Sequence, residues 1–260
     1  MYHYTYDGSF EGLLSVIFEI YERKAWPDKI FKEQLILQPS LFATSIFVCT
    51  DQDKADRVWQ GLLRKISPAS GVQLFKAFLS ELPNVEITIY NYIKLAFDNT
   101  VNIEENFAAD CVRQIAQITK QVFRESHRME AFVRFQKTSD DLFYAAIEPD
   151  FNVLPLIVKH FTLRYADQRW LIYDIKRKYG IYYNLRTAVY VQLEQVPINR
   201  SGQLPATLLD QYETVYQDLW QTYFNSVNIA ERKNKKLHLR HIPARYWKYL
   251  AEKRPAIYKS

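Results

Sequence analysis

The sequence predicts an α+β fold, with a helical layer in the N-terminal half packed against a mostly antiparallel sheet with helices in the C-terminal half. Three observations carry this. From Asp51 to Ser126 apolar residues recur at helical spacing almost throughout. From His127 onward the pattern changes to alternating and extended stretches. Strands thus follow helices instead of alternating with them, which argues against a doubly wound sheet. With 48% hydrophobic and 15% aromatic residues, 260 residues suffice for one large domain or two intimate ones. The seam between regions 1–126 and 127–260 lacks linker composition, so the two are expected to pack as one compact unit.

Element by element, YHYTY at 2–6 alternates and reads as a strand. Asp7-Gly8 turns, Ser9 is a candidate N-cap, and Leu13, Val16, Ile17 and Ile20 follow at helical spacing until Pro27 stops the helix. Short extended segments are expected at 34–38 and 44–49. Asp51 caps the next helix, with Val58, Leu62 and Leu63 on its apolar face. Further faces are Leu74, Phe75, Phe78 and Leu79; Ile89, Tyr92, Ile93 and Ala96; and Val112, Ile115, Ile118 and Val122. Pro68, Pro83 and a turn at 98–106 separate them. After His127, MEAFVRFQ alternates, KTSDD turns and LFYAAIEP runs extended, which reads as a β-hairpin. Residues 153–166 form a helix that tolerates Pro155 in its first turn. RWLIYDIK, KYGIYYN and TAVYVQLE are three more strands, with Asp174 and Gly180 flanking turns. A surface loop at 197–206 leads to a long helix, 207–227, and then to a basic tail.

Charge is unevenly spread. The net charge of +5 divides into −3 for residues 1–130 and +8 for residues 131–260. Within NKKLHLRHIPARYW, residues 234–247, six of fourteen side chains are Lys, Arg or His and none is acidic. Such a bias attracts a polyanion; a solvated helix face is the plainer alternative. No apolar run approaches a membrane span, the N-terminus lacks the regions of a signal peptide, and Cys49 and Cys111 make no disulfide framework. Both cysteines are expected as buried free thiols in a cytoplasmic protein.

Several chemistries leave no trace. Phosphate-binding glycine motifs, the zinc-deaminase signature, a three-cysteine iron–sulfur set and the G-x-S-x-G elbow are all missing. His238 and His241 give two metal ligands where three or four are needed, among cations that repel a metal. No metal or cofactor is expected.

Three blocks carry a resemblance: YDGSFEGLLSVIFEIYE at 6–22; HRMEAFVRFQ at 127–136, continuing into AAIEPDFNVLPLIVKHFTLRYADQRWLIYD at 145–174; and WQTYFNSVNIAERKNKKLHLRHIPARYWKYLAEK at 220–253. Together they resemble a bacterial family assigned to DNA metabolism or repair and uncharacterised in mechanism. That family is encoded beside a radical-SAM protein of DNA repair or modification, and some members are fused ahead of a uracil-DNA glycosylase-like domain. The resemblance implies work on nucleic acid with a radical-SAM protein as partner. It supplies no catalytic residues, and the chain ends shortly after the RYW segment, so no glycosylase activity is expected.

The leading expectation is therefore a DNA-binding accessory protein. Arg232, Lys233, Lys235, Lys236, Arg240, Arg245 and Lys248 fall within seventeen residues free of acid, and a phosphate backbone is their natural complement. His241 lies among them. Tyr246 and Trp247 either stack on a base or anchor the tail to the body, and anchoring is favoured. Arg128, beside His127, would fork onto a phosphate, or both would balance a helix C-terminus. Asp150 would cap the following helix, or join Glu148 around a divalent cation. His160, Arg164, Asp167 and Arg169 would grip a phosphate or form a buried salt-bridge network. A second possibility is an enzyme acting on DNA with His127, His160 and Asp167 as acid–base candidates. A third is a scaffold docking the radical-SAM protein.

Overall fold

The computed structural model describes residues 1–33, 43–193, 199, 203–213, 215–219 and 241–253. The chain divides into two compact units, Met1–Phe123 and Arg124–Ser260. It is α+β: helices dominate the first unit, and the second is built on a sheet with helical segments around it.

The first unit opens on β1 (Tyr2–Tyr6), α1 (Phe10–Arg23), β2 (Lys29–Lys32) and β3 (Thr44–Phe47). The three strands form a wholly parallel sheet in the order β2-β1-β3. α1 begins where expected, with the Ser9 hydroxyl accepting from the Gly12 amide. Its Leu13, Val16, Ile17 and Ile20 are fully buried, each stabilising by about 1.5–3 kcal/mol. At the carboxyl ends of β1 and β3 the Asp7 carboxylate accepts from the Ser9 amide at 2.9 Å, the Ser9 hydroxyl at 2.7 Å and the Thr50 hydroxyl at 2.8 Å. These bonds outweigh burial and hold the Asp7 carboxyl below its ordinary range. Gly12 is required there, because a Cβ would lie 2.4 Å from Asp7 Oδ1.

Next come α2 (Gln52–Leu63), α3 (Pro68–Phe78), α4 (Val85–Asp98) and the first part of α5 (Asp110–Phe132). Asp51 caps α2 through the Lys54 amide, and α3 carries Pro68 in its first turn behind the Ser67 cap. β2 was not expected: KIFK is too short and too charged for alternation to stand out. The expected segment 34–38 lies outside the described residues. Cys49 is exposed and Cys111 half-buried, which corrects the expectation of two buried thiols. Cys49 lies beyond the end of β3 at Phe47.

The second unit holds β4 (Gln136–Lys137), β5 (Phe143–Ile147), α6 (Leu154–Arg164), β6 (Trp170–Asp174), β7 (Tyr179–Tyr183) and β8 (Ala188–Val191). The sheet order is β4-β5-β6-β7-β8, antiparallel except for the β5–β6 pair joined through α6. Tyr144, Ala146, Leu171 and Tyr173 point to one face, where Tyr249 packs on them. Trp170 points to the other, against Phe161 of α6 and Tyr183. Gly180 sits inside β7 and does not flank a turn. A Cβ there would lie 2.9 Å from the Ile172 carbonyl oxygen, so close strand packing requires glycine.

Two boundaries differ from expectation. α5 runs on to Phe132, so the first half of MEAFVRFQ is helix. Val122, Ser126, Met129 and Val133 are buried, and that i, i+4, i+7 spacing extends the α5 stripe through the supposed strand. Residues 206–208 form a 3-10 turn and Leu209 bridges to Thr138, so no helix starts at 207. Residues 215–219 are helical, with Val215 and Leu219 exposed. The remainder of the expected 207–227 helix lies outside the described residues. Among the described residues no helix is long and apolar enough to cross a membrane.

Candidate functional site

The densest polar cluster of the second unit lies at the carboxyl ends of the parallel strands β5 and β6. The register pairs Ile147 with Asp174, so the chain leaving β5 through Glu148, Pro149 and Asp150 emerges beside the Asp174 turn. Carboxyl ends of parallel strands are a recurrent place for sites in α/β sheets. Glu125 and Arg128 arrive from α5. Arg245, Tyr246, Lys248 and Tyr249 arrive from a 3-10 helix, Ala244–Tyr249, that begins at Pro243.

Glu125 is the hub. Its side chain is only 2% exposed, yet it accepts from the Tyr246 hydroxyl and, at 2.9 Å, from the Asp150 amide. Arg128 stands 3.5 Å and Arg245 3.6 Å from its second oxygen. Arg245 also meets the Asp150 carboxylate at 2.5 Å and lies over the Tyr246 ring. Tyr246 is buried and packs on Phe132. Burial, together with the neighbouring Glu125 carboxylate, pushes its hydroxyl far above its ordinary pKa, so it stays a donor.

A second set surrounds Glu148, whose carboxylate accepts from Lys248 at 2.5 Å and from the Tyr249 hydroxyl at 2.6 Å. Those bonds, Lys248 first, hold the Glu148 carboxyl below its ordinary range. On the third side Arg177 bonds Asp174 at 2.9 Å and the carbonyls of Pro149 at 3.1 Å and Asp150 at 3.0 Å. Asp174 is completely buried, and that desolvation raises its pKa despite the Arg177 partner. Lys176 reaches the Asp150 carbonyl at 3.3 Å. Four carboxylates, Glu125, Glu148, Asp150 and Asp174, thus face Arg128, Lys176, Arg177, Arg245 and Lys248.

Tyr246 takes the anchoring role favoured from sequence. Other expectations are corrected by these contacts. Trp247 is half-buried, with its indole N–H bonded to the Ile242 carbonyl at 3.0 Å and Lys253 over its ring. Arg245 and Arg128 are engaged with carboxylates, although Arg245 keeps 44% and Arg128 31% of its side chain exposed. Asp150 does not cap α6, whose N-cap residue is Val153 and which has no side-chain cap; it is drawn instead to Arg245. Glu148 and Asp150 are held by cations, and no group of three or more metal-ligating side chains occurs among the described residues. Arg232, Lys235, Lys236, His238 and Arg240 lie outside the described residues, and His241 is exposed.

The acid–base candidates do not assemble. His127 lies within α5, not at a helix-to-strand junction, 77% exposed and 3.3 Å from Glu130. The ring of His160 packs edge-on to Phe161 of α6, and Asp167 is exposed just before β6. No hydrogen bond or ion pair joins any two of the three. The expected salt-bridge network of His160, Arg164, Asp167 and Arg169 does not form either. Arg164 lies over Tyr165, and Arg169 donates to the Asp140 carbonyl. These residues precede β6, at the opposite end of the strands from the Glu125 cluster.

Glu125 and Tyr249 were not singled out from sequence, and Lys248 was read as a phosphate contact, not as a partner of Glu148. Glu125 had a readable signal: it stands on the same stripe of α5 as Val122 and Met129, and a carboxylate in an apolar stripe needs partners.

Comparison with known proteins adds a family and little else. The model of a domain of unknown function, DUF4130, matches residues 83–252. No curated protein matches. Among solved structures, a pGpG-specific phosphodiesterase, PggH from Vibrio cholerae, aligns at 10% identity over 88% of this chain and 100% of its own, with a TM-score of 0.29. A likeness at that score carries no argument about this chain.

Proposed function

The chain belongs to the DUF4130 family of unknown function, and from that premise we propose that it is a DNA-binding accessory protein of DNA repair or modification that works with a radical-SAM enzyme. The observation that carries the reading is the acid-free run 232–248, with seven Lys and Arg side chains, whose last residues are fixed to a folded unit. Tyr246 on Glu125 and Tyr249 on Glu148 pin that end. A cationic segment anchored at one end loses less conformational freedom on meeting a polyanion than a free one.

Arg245 and Lys248 already balance carboxylates. The reading therefore assigns phosphate contact to Arg232, Lys233, Lys235, Lys236 and Arg240, with Arg245 and Lys248 in an anchoring role. The radical-SAM partner rests on the three-block resemblance alone. Any radical chemistry would belong to that partner, since two cysteines cannot hold an iron–sulfur cluster unaided.

The test is binding of labelled duplex and single-stranded oligonucleotides by fluorescence anisotropy. The intact chain is expected to bind, and the variant carrying Lys235→Glu and Lys236→Glu to bind at least tenfold more weakly. Equal binding by the two proteins would remove the reading. Co-purification with the radical-SAM protein after complete nuclease digestion, by a chain that binds no oligonucleotide, would favour the scaffold instead.

A further inference from the structure

The first unit carries a groove unrelated to the Glu125 cluster. It runs along α3 and α5, whose facing residues advance in the same direction. The Thr119 hydroxyl bonds the Gln73 carbonyl at 3.2 Å, and Lys76 lies over the Phe123 ring at 5.5 Å. Two adjoining hollows make up the groove, and both are lined by Ala69, Gln73 and Ala116. The hollow at Lys76 and Lys120 is mainly apolar, and three large side chains stand open along the groove: Phe123 is 58%, Phe107 55% and Val72 51% exposed.

The two ends differ in charge. Glu104 and Glu105 line one end, Lys76 and Lys120 the other. Glu104 stays ionised, since the Ser67 hydroxyl and its other donors hold its carboxyl at about 2. The N-termini of α3 and α5 lie at the acidic end and oppose it, but each contributes only about half a positive charge, against two full carboxylates. The end therefore remains negative.

We propose that this groove docks an amphipathic α-helix of a partner protein, with its basic N-terminal turn at Glu104 and Glu105 and its acidic C-terminal turn at Lys76 and Lys120. The macrodipole of the incoming helix favours the same orientation. A helix suits the groove better than an extended strand: flanks of α3 and α5 line it, the turn from Asn102 to Phe107 closes one end, and no β-strand borders it, so a strand would leave its own amides unsatisfied. The stretch from Val112 to Phe123 spans roughly 16 Å at 1.5 Å per residue, enough for about three turns of a guest.

The probe is a stapled, fluorescein-labelled helical peptide of about 11 residues, which suits the estimated span. It has a leucine stripe, lysines in the first turn and glutamates in the last; a second peptide has glutamine at every one of those charged positions. The full chain is expected to bind the first at least tenfold more tightly. Phe123→Ser should weaken it at least tenfold while leaving the circular dichroism unchanged, because that ring is mostly exposed. Lys76→Glu with Lys120→Glu should weaken binding of the first peptide and leave that of the second unchanged. Binding by neither peptide, or equal binding of both, overturns the proposal. So does self-association in sedimentation that Phe123→Ser abolishes, which would assign the groove to a second copy of this chain.

Discussion

The parallel pairs β1–β3 and β5–β6, one in each unit, close their carboxyl ends in opposite ways. Beyond β1 and β3, Asp7 is satisfied by neutral donors, Ser9 two residues on and Thr50 at the start of the next element. Beyond β5 and β6, Glu148 and Glu125 are satisfied by side chains 100 and 121 residues away. The first closure uses hydroxyls and amides, which salt hardly touches. The second is built of ion pairs around buried acids and exists only when the Ala244–Tyr249 segment is docked. Charge is thus used in one unit to fix a terminal segment, and in the other to leave a bipolar surface open.

The largest expected effect is at the hub. Replacing Glu125 with Ala removes the acceptor of both the Tyr246 hydroxyl and the Asp150 amide and takes a carboxylate from Arg128, while Arg245 keeps Asp150, so a loss of about 3–5 kcal/mol is expected in urea unfolding. Residues 241–253 should become protease-sensitive at the same time. A loss below about 1 kcal/mol, as for an exposed pair, would erase the distinction between the two closures.

Tyr246→Phe keeps the packing on Phe132 and removes one donor from a buried carboxylate. It should cost about 1–3 kcal/mol, and in combination with Glu125→Ala the costs should be far from additive. The next pair sharpens the comparison directly. Asp7→Ala should cost about 1 kcal/mol for its lost hydrogen bonds, independent of salt. Lys248→Met, at a pair 42% and 38% exposed, should cost under about 1 kcal/mol at low salt and nothing measurable at high salt.

The last effect is a pH dependence. Glu104 titrates at about 2 in the folded chain against an ordinary 4.5. A depressed carboxylate contributes stability above its unfolded pKa and loses it as pH falls through the folded one. Glu104→Gln should therefore be less stable than the parent at neutral pH, and the gap should close between about 4.5 and about 2. A constant gap across that window would mean that the carboxylate's charge is not what ties Ser67 to Asn102.

Elements whose signals are local were legible. Ser9 and Asp51 cap their helices as expected, Pro155 sits in the first turn of α6, and β6, β7 and β8 follow their apolar runs. Errors arose where two periods fit the same residues. In MEAFVRFQ both a strand and a helix place Met129 and Val133 inside, and only the preceding α5 stripe decides between them. The charged cluster was half legible. Its basic members stood out as an acid-free run, but their partners, Glu125, Glu148 and Asp150, are scattered singly through the chain, and pairing across 100 residues leaves no pattern in one sequence. Asp150 read as a helix cap because its spacing to Leu154 allows one, while Arg245, the stronger partner, was invisible from there.

The most direct measurement is the salt dependence of DNA affinity. If Arg232, Lys233, Lys235, Lys236 and Arg240 contact phosphates while Arg245 and Lys248 stay anchored, log Kobs against log salt should fall with a slope of about −4 to −5 on duplex DNA. Arg245→Gln should leave that slope unchanged, and Lys235→Glu with Lys236→Glu should reduce its magnitude by about 2. A slope near zero, or the same slope in the Lys235/Lys236 variant as in the parent, would contradict the account.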